Sequence, residues 1–508
     1  EARKIASVCY ELRHIGFSIS TPYTFADDVP TDLVAKIKEN SSFYKGVSVE
    51  IVTSREFTDG TIAPHILGMV GAIDAEEYAE KKDEGYGIND TIGKSGIESA
   101  MEKYLRGAPG KKLVSTDAMG KVTTTVTQEP QQGNSVVLTI DKNLQVATQK
   151  ALESGLKSID TQVKPAGAAL VIDVNNFEIL ACATYPSYNA ATYRQDYGEL
   201  AKDENAPLWN RALLSTYEPG STIKPSVAIA ALEEGVITKN TTIHCNGKYK
   251  YLDSYYKCEQ RHSTRNLNVV LAIDESCNTF FYECGRLLGY AKINEYRSML
   301  GLAQKTGVEL QESIGVMDSP EHRESVGSVW WAGYNIQTAI GQGNLFTPIQ
   351  LGVYCATIAN GGTRYRAHFV KTVKTNNTYE TVLENKPEVL CNTGVSKSTM
   401  DIIHEGMLRV SSSGGYLYRA FKDLGIKVAS KTGTSQVVRT ENGHSRKINN
   451  AFIISFAPYE NPEIAVIVCG EGVTTAVNLG PIARDIYKAY LQGEGSYAKL
   501  QSENKLLG

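Results

Sequence analysis

The sequence predicts an α+β fold: an antiparallel sheet flanked by helices, with a helical lobe, carried on an N-terminal α+β pedestal. Three observations lead there. β-rich runs open and close the C-terminal two-thirds of the chain, at 166–172, 178–183, 427–430 and 464–468. Long apolar-periodic stretches at 221–234 and 278–288 lie between them. Strands first, helices in the middle and strands last segregate the two kinds of element, the mark of α+β rather than of alternating βα units. A polar, turn-rich stretch, Gln128-Glu129-Pro130-Gln131-Gln132-Gly133-Asn134, separates this region from what precedes it.

In chain order, residues 1–134 form the α+β pedestal. It is expected to hold a strand at Val47-Ser48-Val49-Glu50-Ile51-Val52 and an amphipathic helix over about 97–105. The second domain, 135–492, starts with a β-rich run at 135–140. The segments 166–172 and 178–183 flank Asp173-Val174-Asn175-Asn176-Phe177, a hairpin signal. The helices follow, then the late strands, and 493–508 reads as a polar, loosely held tail.

At 508 residues with 42% apolar content, the chain is too long for one core and too apolar for wholesale disorder. A net charge of -4 with no basic block argues against a nucleic-acid partner. No window approaches the roughly 18 consecutive apolar residues of a membrane helix. The start, Glu1-Ala2-Arg3-Lys4, is neither an initiator Met nor a signal peptide. A soluble fragment or a trimmed ectodomain is therefore expected. Nine scattered cysteines do not make a disulfide-stapled framework.

Three short motifs occur in order: Ser221-Thr222-Ile223-Lys224, Ser276-Cys277-Asn278 and Lys431-Thr432-Gly433-Thr434. Sets of the form S-x-x-K, S-x-N and K-T-G build active-serine sites. Each alone is uninformative, because Ser154-x-x-Lys157, Ser254-x-x-Lys257, Ser187-Tyr188-Asn189 and Lys305-Thr306-Gly307 match equally well. Context separates them. Pro219-Gly220 ends a loop and Ser221 opens an apolar helix, placing its hydroxyl where the helix dipole favours negative charge, with Lys224 on the same face. Lys431 lies in a strand, whereas Lys305 follows a helix end, where Gly307 suits a C-cap.

The flanks of these motifs resemble one family. Tyr217-Glu218-Pro219-Gly220-Ser221, Ser276-Cys277-Asn278-Thr279-Phe280-Phe281, Gly341-Gln342-Gly343 with Thr347-Pro348-Ile349-Gln350, Ile358-Ala359-Asn360-Gly361-Gly362 and Ser430-Lys431-Thr432-Gly433-Thr434 look like class B penicillin-binding proteins. Gly93-Lys94-Ser95-Gly96-Ile97-Glu98 and Leu105-Arg106-Gly107 are similar to that family's pedestal. The family's arginine-rich segment after the membrane anchor is missing, as is the small add-on domain that some members carry after the catalytic one.

The resemblance implies a penicillin-binding transpeptidase fold and a D,D-transpeptidase that cross-links peptidoglycan stem peptides and is acylated by β-lactams. Ser221 is then the nucleophile and Lys224 its base, which must shed its proton near neutral pH at a cost of about 4 kcal/mol. Burial and repulsion from Lys431 are the means available. Ser276 relays the proton, Asn278 holds Lys224, and Lys431, Thr432, Gly433 and Thr434 line the site for the donor carboxylate. The backbone N–H groups of Ser221 and Thr434 form the oxyanion hole, and Gly341-Gln342-Gly343 is a supporting loop. Catalysis needs no cofactor. Expected partners are stem peptides, the lipid-linked precursor and a membrane glycan polymerase, on the outer face of the bacterial cytoplasmic membrane beyond a single N-terminal anchor absent from this chain. Competing readings are a β-lactamase-like hydrolase, which needs a carboxylate on water, and a non-catalytic β-lactam sensor or scaffold.

Around the second motif lie Cys245, Cys258, His262 and Cys284. Cys258 and His262 have a spacing seen on single metal ions, so these four are candidates for a structural zinc site, with Asp253 a possible substitute. Ordinary buried thiols and a disulfide between Cys245 and Cys258 are the other readings.

Overall fold

The computed structural model describes residues 2–14, 23–26, 29–40, 42–49, 55–88, 90–116, 122–258, 264–441 and 444–503. The chain divides into two units, 1–56 and 57–508. The first carries the helices Ala2–His14 and Thr31–Glu39. Val47, Ser48 and Val49 form no strand, while Glu50, Ile51 and Val52 fall outside the described residues.

In the second unit a five-stranded antiparallel sheet organises everything else. Its strands are β1 (Thr161–Asp173), β2 (Ile179–Tyr185), β3 (Ala429–Glu441), β4 (His444–Ala457) and β5 (Ile464–Val473), in the spatial order β3-β4-β5-β1-β2. The expected hairpin is present, with Leu170 opposite Cys182. β4 has no counterpart in the sequence reading: Ser445, Arg446, Lys447, Asn449 and Asn450 dilute the apolar signal of its first half. Both faces of the sheet are covered. Ala168, Leu170 and Ile172 of β1, Phe452, Ile454 and Phe456 of β4 and Ala465, Ile467 and Cys469 of β5 enter one core. Their sequence neighbours Ala169, Val171, Ala451, Ile453, Val466 and Val468 enter the other. Period-two alternation thus splits each strand between two apolar layers.

On the second of these faces lie α1 (Lys142–Ser158) and the last helix, α6 (Gly480–Glu503). The Asp141 carboxylate accepts from Leu144 N at 2.8 Å and starts α1. The segment expected as a polar tail from 493 continues α6 as far as Glu503.

The first face carries the helical lobe: α2 (Lys224–Glu233), α3 (Asn278–Met299), α4 (Pro348–Ala359) and α5 (Lys397–Ser411). α4 is buried throughout, and its start explains the Thr347-Pro348-Ile349-Gln350 motif as a capping box. Gln350 N donates to Thr347 Oγ1 at 3.3 Å and Thr347 N donates to Gln350 Oε1 at 3.1 Å. The helix expected to end at 288 breaks at Gly289, whose backbone is non-helical, and a second helical stretch beyond that kink carries α3 to Met299. The expected pedestal helix over 97–105 is two short helices, Gly96–Ala100 and Glu102–Leu105, broken at Met101.

Candidate active site

Ser221 sits in a 3-10 turn, Gly220–Ile223, and α2 begins only at Lys224. The turn is tied by Thr222 Oγ1, which donates to Pro219 O at 2.8 Å, and by Lys224 N–H, which donates to Ser221 O. Ser221 therefore precedes the α-helix by one turn instead of opening it, and its hydroxyl still stands at the N-terminal end. Three glycines let three backbones converge here. A Cβ on Gly220 would lie 2.6 Å from Thr434 O, and one on Gly433 2.5 Å from Pro219 O. One on Gly341, whose φ is +92°, would lie 2.3 Å from Gly220 O. The serine turn is thus pressed between β3 and the 338–344 turn, which explains why Gly341 and Gly433 belong to the motifs.

The lysine of the first motif is fully buried. Lys224 Nζ donates to Asn278 Oδ1 at 2.6 Å, to Ser276 O at 2.7 Å and to Ser276 Oγ at 3.2 Å. From the sheet side, Lys431 Nζ donates to the same Ser276 hydroxyl at 3.0 Å and to Thr432 O at 3.0 Å. One serine hydroxyl therefore sits between two buried amines. Ser276 reaches this position with a left-handed backbone, φ 53°, a conformation that costs a non-glycine residue about 1–3 kcal/mol.

Burial pushes Lys224 down to about 8, with the thiols of Cys277 and Cys258 acting in the opposite sense. Lys431 is held well below the ordinary lysine value, first by burial and then by the charge of Lys224, against a smaller pull from Asp274. The expected repulsion between the lysines thus falls on Lys431, and burial is what acts on Lys224. Two ammonium groups bonded to one hydroxyl inside a core are unstable together, so the site favours at least one neutral amine.

The 338–344 turn is held from behind. Buried Arg297 donates to Thr338 O at 2.7 Å and to Thr338 Oγ1 at 2.9 Å, and Gly343 N donates to Glu218 Oε1 at 3.2 Å. Glu218 lies three residues before Ser221, so the Gly343 end of the turn is bonded to the loop that carries the serine. Tyr354 of α4 completes the support, its hydroxyl 3.3 Å from Thr222 O and 3.1 Å from Ser226 N.

The competing matches lie elsewhere. Ser154 Oγ donates back to Lys150 O at 2.6 Å within α1, and Lys157 pairs with Glu153 at 2.6 Å. Lys305-Thr306-Gly307 is not at a helix end, since α3 stops at Met299. It folds around the Glu312 carboxylate, which accepts from Thr306 N at 2.9 Å, Thr306 Oγ1 at 2.7 Å and Gly307 N at 3.2 Å.

The cysteine expectation is corrected in part. Cys245, Cys258 and Cys277 bring their sulfurs within 4.8 Å of one another. Cys277 thus replaces Cys284, which is buried in α3 outside this cluster, and His262 falls outside the described residues. No disulfide joins Cys245 to Cys258, against that reading, and Asp253 is exposed in a hairpin turn. Cys258 Sγ accepts from Asn278 N at 3.1 Å and lies 3.8 Å from Cys277 Sγ. The thiol of Cys277 and the N–H groups of Thr279 and Asn278 hold Cys258 down to about 5. Cys277 escaped the sequence reading because it is hidden inside the second catalytic motif.

Comparison with known proteins agrees with this geometry. The family model described as the penicillin binding protein transpeptidase domain matches residues 167–488, and that of the penicillin-binding protein dimerisation domain matches 3–138. Peptidoglycan D,D-transpeptidase MrdA of Acinetobacter baumannii is 30% identical over 477 residues, 90% of this chain and 69% of that protein. MrdA of Escherichia coli is 29% identical over 497 residues, 93% of this chain and 76% of that protein. Among solved structures, the Helicobacter pylori complex of PBP2 with MreC superposes with a TM-score of 0.77 at 27% identity, covering 92% of this chain and 84% of that one. Pseudomonas aeruginosa PBP2 superposes with a TM-score of 0.71 at 29% identity, covering 84% and 88%. The ordered motifs, the shared serine between two lysines and these matches lead to one conclusion: the chain belongs to the penicillin-binding protein transpeptidase family.

Proposed function

We propose that the chain is a serine-type peptidoglycan D,D-transpeptidase in which Ser221 forms the acyl-enzyme. The observation that carries the residue assignment is the Ser276 hydroxyl shared by Lys224 and Lys431 beside the Ser221 turn. Ser221 Oγ attacks the carbonyl carbon between two D-alanines. The new C–O ester bond forms as the C–N bond breaks, and the terminal D-alanine leaves with a proton. An acceptor amine then attacks the ester carbon, an amide bond forms as the C–O ester bond breaks, and a proton from that amine goes to Ser221 Oγ. Lys224 is the base for the first step and Ser276 passes the proton toward the leaving amine.

The two amines divide the work. A donor carboxylate, bound by Lys431 with Thr432 and Thr434, favours the charge on Lys431 and so favours neutral Lys224 when substrate is present. The N–H groups of Ser221 and Thr434 are the oxyanion donors in this reading, each worth about 3 kcal/mol in the transition state. Their support is the close approach of Gly220 to the Thr434 backbone. Acylation by benzylpenicillin tests the reading: the protein gains one penicilloyl mass, and Ser221→Ala gains none.

Residues 1–134 serve in this reading as the pedestal and 135–492 as the transpeptidase domain, consistent with the two family matches. The catalytic unit acts on the outer face of the bacterial cytoplasmic membrane, with stem peptides and the lipid-linked precursor as substrates. A glycan polymerase is its partner, which the likeness to a peptidoglycan synthase complex coordinating polymerization and crosslinking supports (TM-score 0.78, 27% identity). Among the described residues no helix is long and apolar enough to cross a membrane.

The cysteine cluster fits a structural zinc ion. Three mutually close sulfurs, one of them held toward the thiolate, are the donor chemistry such a site requires. Cys245, Cys258 and Cys277 would hold the ion, with His262 the expected fourth ligand. Its contribution would be mechanical, tying the segment around Cys245 and Cys258 to the residues between Ser276 and Asn278. Elemental analysis of protein purified without added metal should find zinc, and a chelator should lower the melting temperature and slow acylation together. Less than about one-tenth zinc per chain with no chelator effect would leave plain buried thiols.

A further inference from the structure

Beside the catalytic pocket, the strands Lys248–Tyr251 and Ser254–Lys257 form a two-stranded hairpin. Its inner face is fixed. Tyr249 and Tyr256 each stack 5.7 Å from the Tyr282 ring of α3, and the Tyr249 hydroxyl donates to Glu283 at 2.5 Å. Its base adjoins the active site, because Lys257 O accepts from Asn278 Nδ2 at 3.5 Å, the same Asn278 that holds Lys224. The other face is cationic. Lys248 stands directly opposite Lys257 and Lys250 opposite Tyr255, and all four are exposed.

Like charges directly opposite on a ladder destabilise it, and this hairpin does nothing to relieve them. Among the described residues no carboxylate lies within ion-pair distance of Lys248, Lys250 or Lys257. Tyr255 is 67% exposed at the same face, and Leu252 in the turn is 60% exposed with a left-handed backbone. A protein of net charge -4 thus sets a cationic strip, paired with no carboxylate among the described residues, against its catalytic asparagine. Local choices that cost stability without compensation mark functional places.

We propose that this face binds the acceptor strand of the cross-linking reaction, an acidic stem peptide whose carboxylates lie along Lys248, Lys250 and Lys257 and whose amine is thereby led to the acyl-enzyme. The four-residue strands give a face about 13 Å long, enough for a peptide of about four residues. Position decides for the peptide over an anionic lipid surface: the strip begins at Lys257, whose carbonyl accepts from Asn278, the side chain that holds Lys224. The inference rests on the transpeptidase reading and deepens it.

The test pairs a D-alanyl-D-alanine donor peptide with an amine-bearing acceptor carrying two free carboxylates, and with the same acceptor amidated at both. Lys248→Glu with Lys250→Glu should leave acylation by benzylpenicillin unchanged and the melting temperature no lower, since the change relieves the repulsion with Lys257, while transfer to the acidic acceptor falls about tenfold, as expected for exposed charge pairs turned repulsive. Transfer to the amidated acceptor should be unaffected, and Lys248→Gln with Lys250→Gln should give an intermediate loss. Equal transfer to both acceptors in every variant would overturn the inference. So would a loss confined to binding of vesicles rich in anionic phosphatidylglycerol, which would assign the lysines to a membrane. Absence of acylation in the unmodified protein would instead overturn the transpeptidase reading beneath it.

Discussion

In the proposed reading Lys224 is the base for acylation, and its behaviour follows from burial. A lysine brought to about 8 is mostly protonated at pH 6 and mostly neutral at pH 9. With neutral Lys224 as the proposed base, acylation by benzylpenicillin should rise about tenfold between pH 6 and pH 7 and level off above 8. Lys224→Arg keeps a charge and cannot shed it, so acylation should fall at least about a thousandfold. A rate constant with pH from 6 to 9 would show that another group takes the proton. The residue pair was legible in the sequence because S-x-x-K spacing is local: three positions on a helical turn share a face whatever the rest of the fold does. Ser276 between two lysines was legible only through the resemblance. Nothing local announces that a serine will adopt φ 53°, and nothing in Lys431 announces which hydroxyl it will meet.

At the scale of elements, the 338–344 turn decides where the serine stands. Buried Arg297 fixes Thr338 at one end, Glu218 takes Gly343 N at the other, and Gly341 meets the backbone of Gly220 between them. Gly341→Ala combines a left-handed penalty with a collision against a backbone oxygen. It should cost about 1–3 kcal/mol in stability and slow acylation at least about tenfold. Gly361→Ala is the control, with φ +84° and open space around it. It should carry the backbone penalty alone and acylate at the unmodified rate. If the two variants acylate equally, the turn is a bystander. The glycines were visible as a motif, but their purpose was not, since close approach between three backbones distant in sequence leaves no local trace. The same holds for Cys277, whose two sulfur neighbours lie 19 and 32 positions away. Lys305-Thr306-Gly307 erred for a related reason: the partner that shapes it, Glu312, lies beyond the window in which a helix end is judged.

For the whole molecule, the order of elements carried the fold. Strands 166–172, 178–183 and 464–468 were readable because both faces of the sheet are buried and the runs are continuously apolar. β4 was missed because its first half is polar, and residues 493–503 were read as a tail although they continue α6. One sheet between two apolar layers then presents β3, and with it Lys431, to a helical lobe that supplies Ser221, Lys224, Ser276 and Asn278. The proposed acylation rests on that convergence, and mapping the acyl group tests it most directly. After reaction with benzylpenicillin, digestion and mass spectrometry should place a single penicilloyl ester on the peptide containing Ser221, with no adduct in Ser221→Ala and full labelling in Ser154→Ala. An adduct on any other serine, or labelling that survives Ser221→Ala, would contradict the assignment.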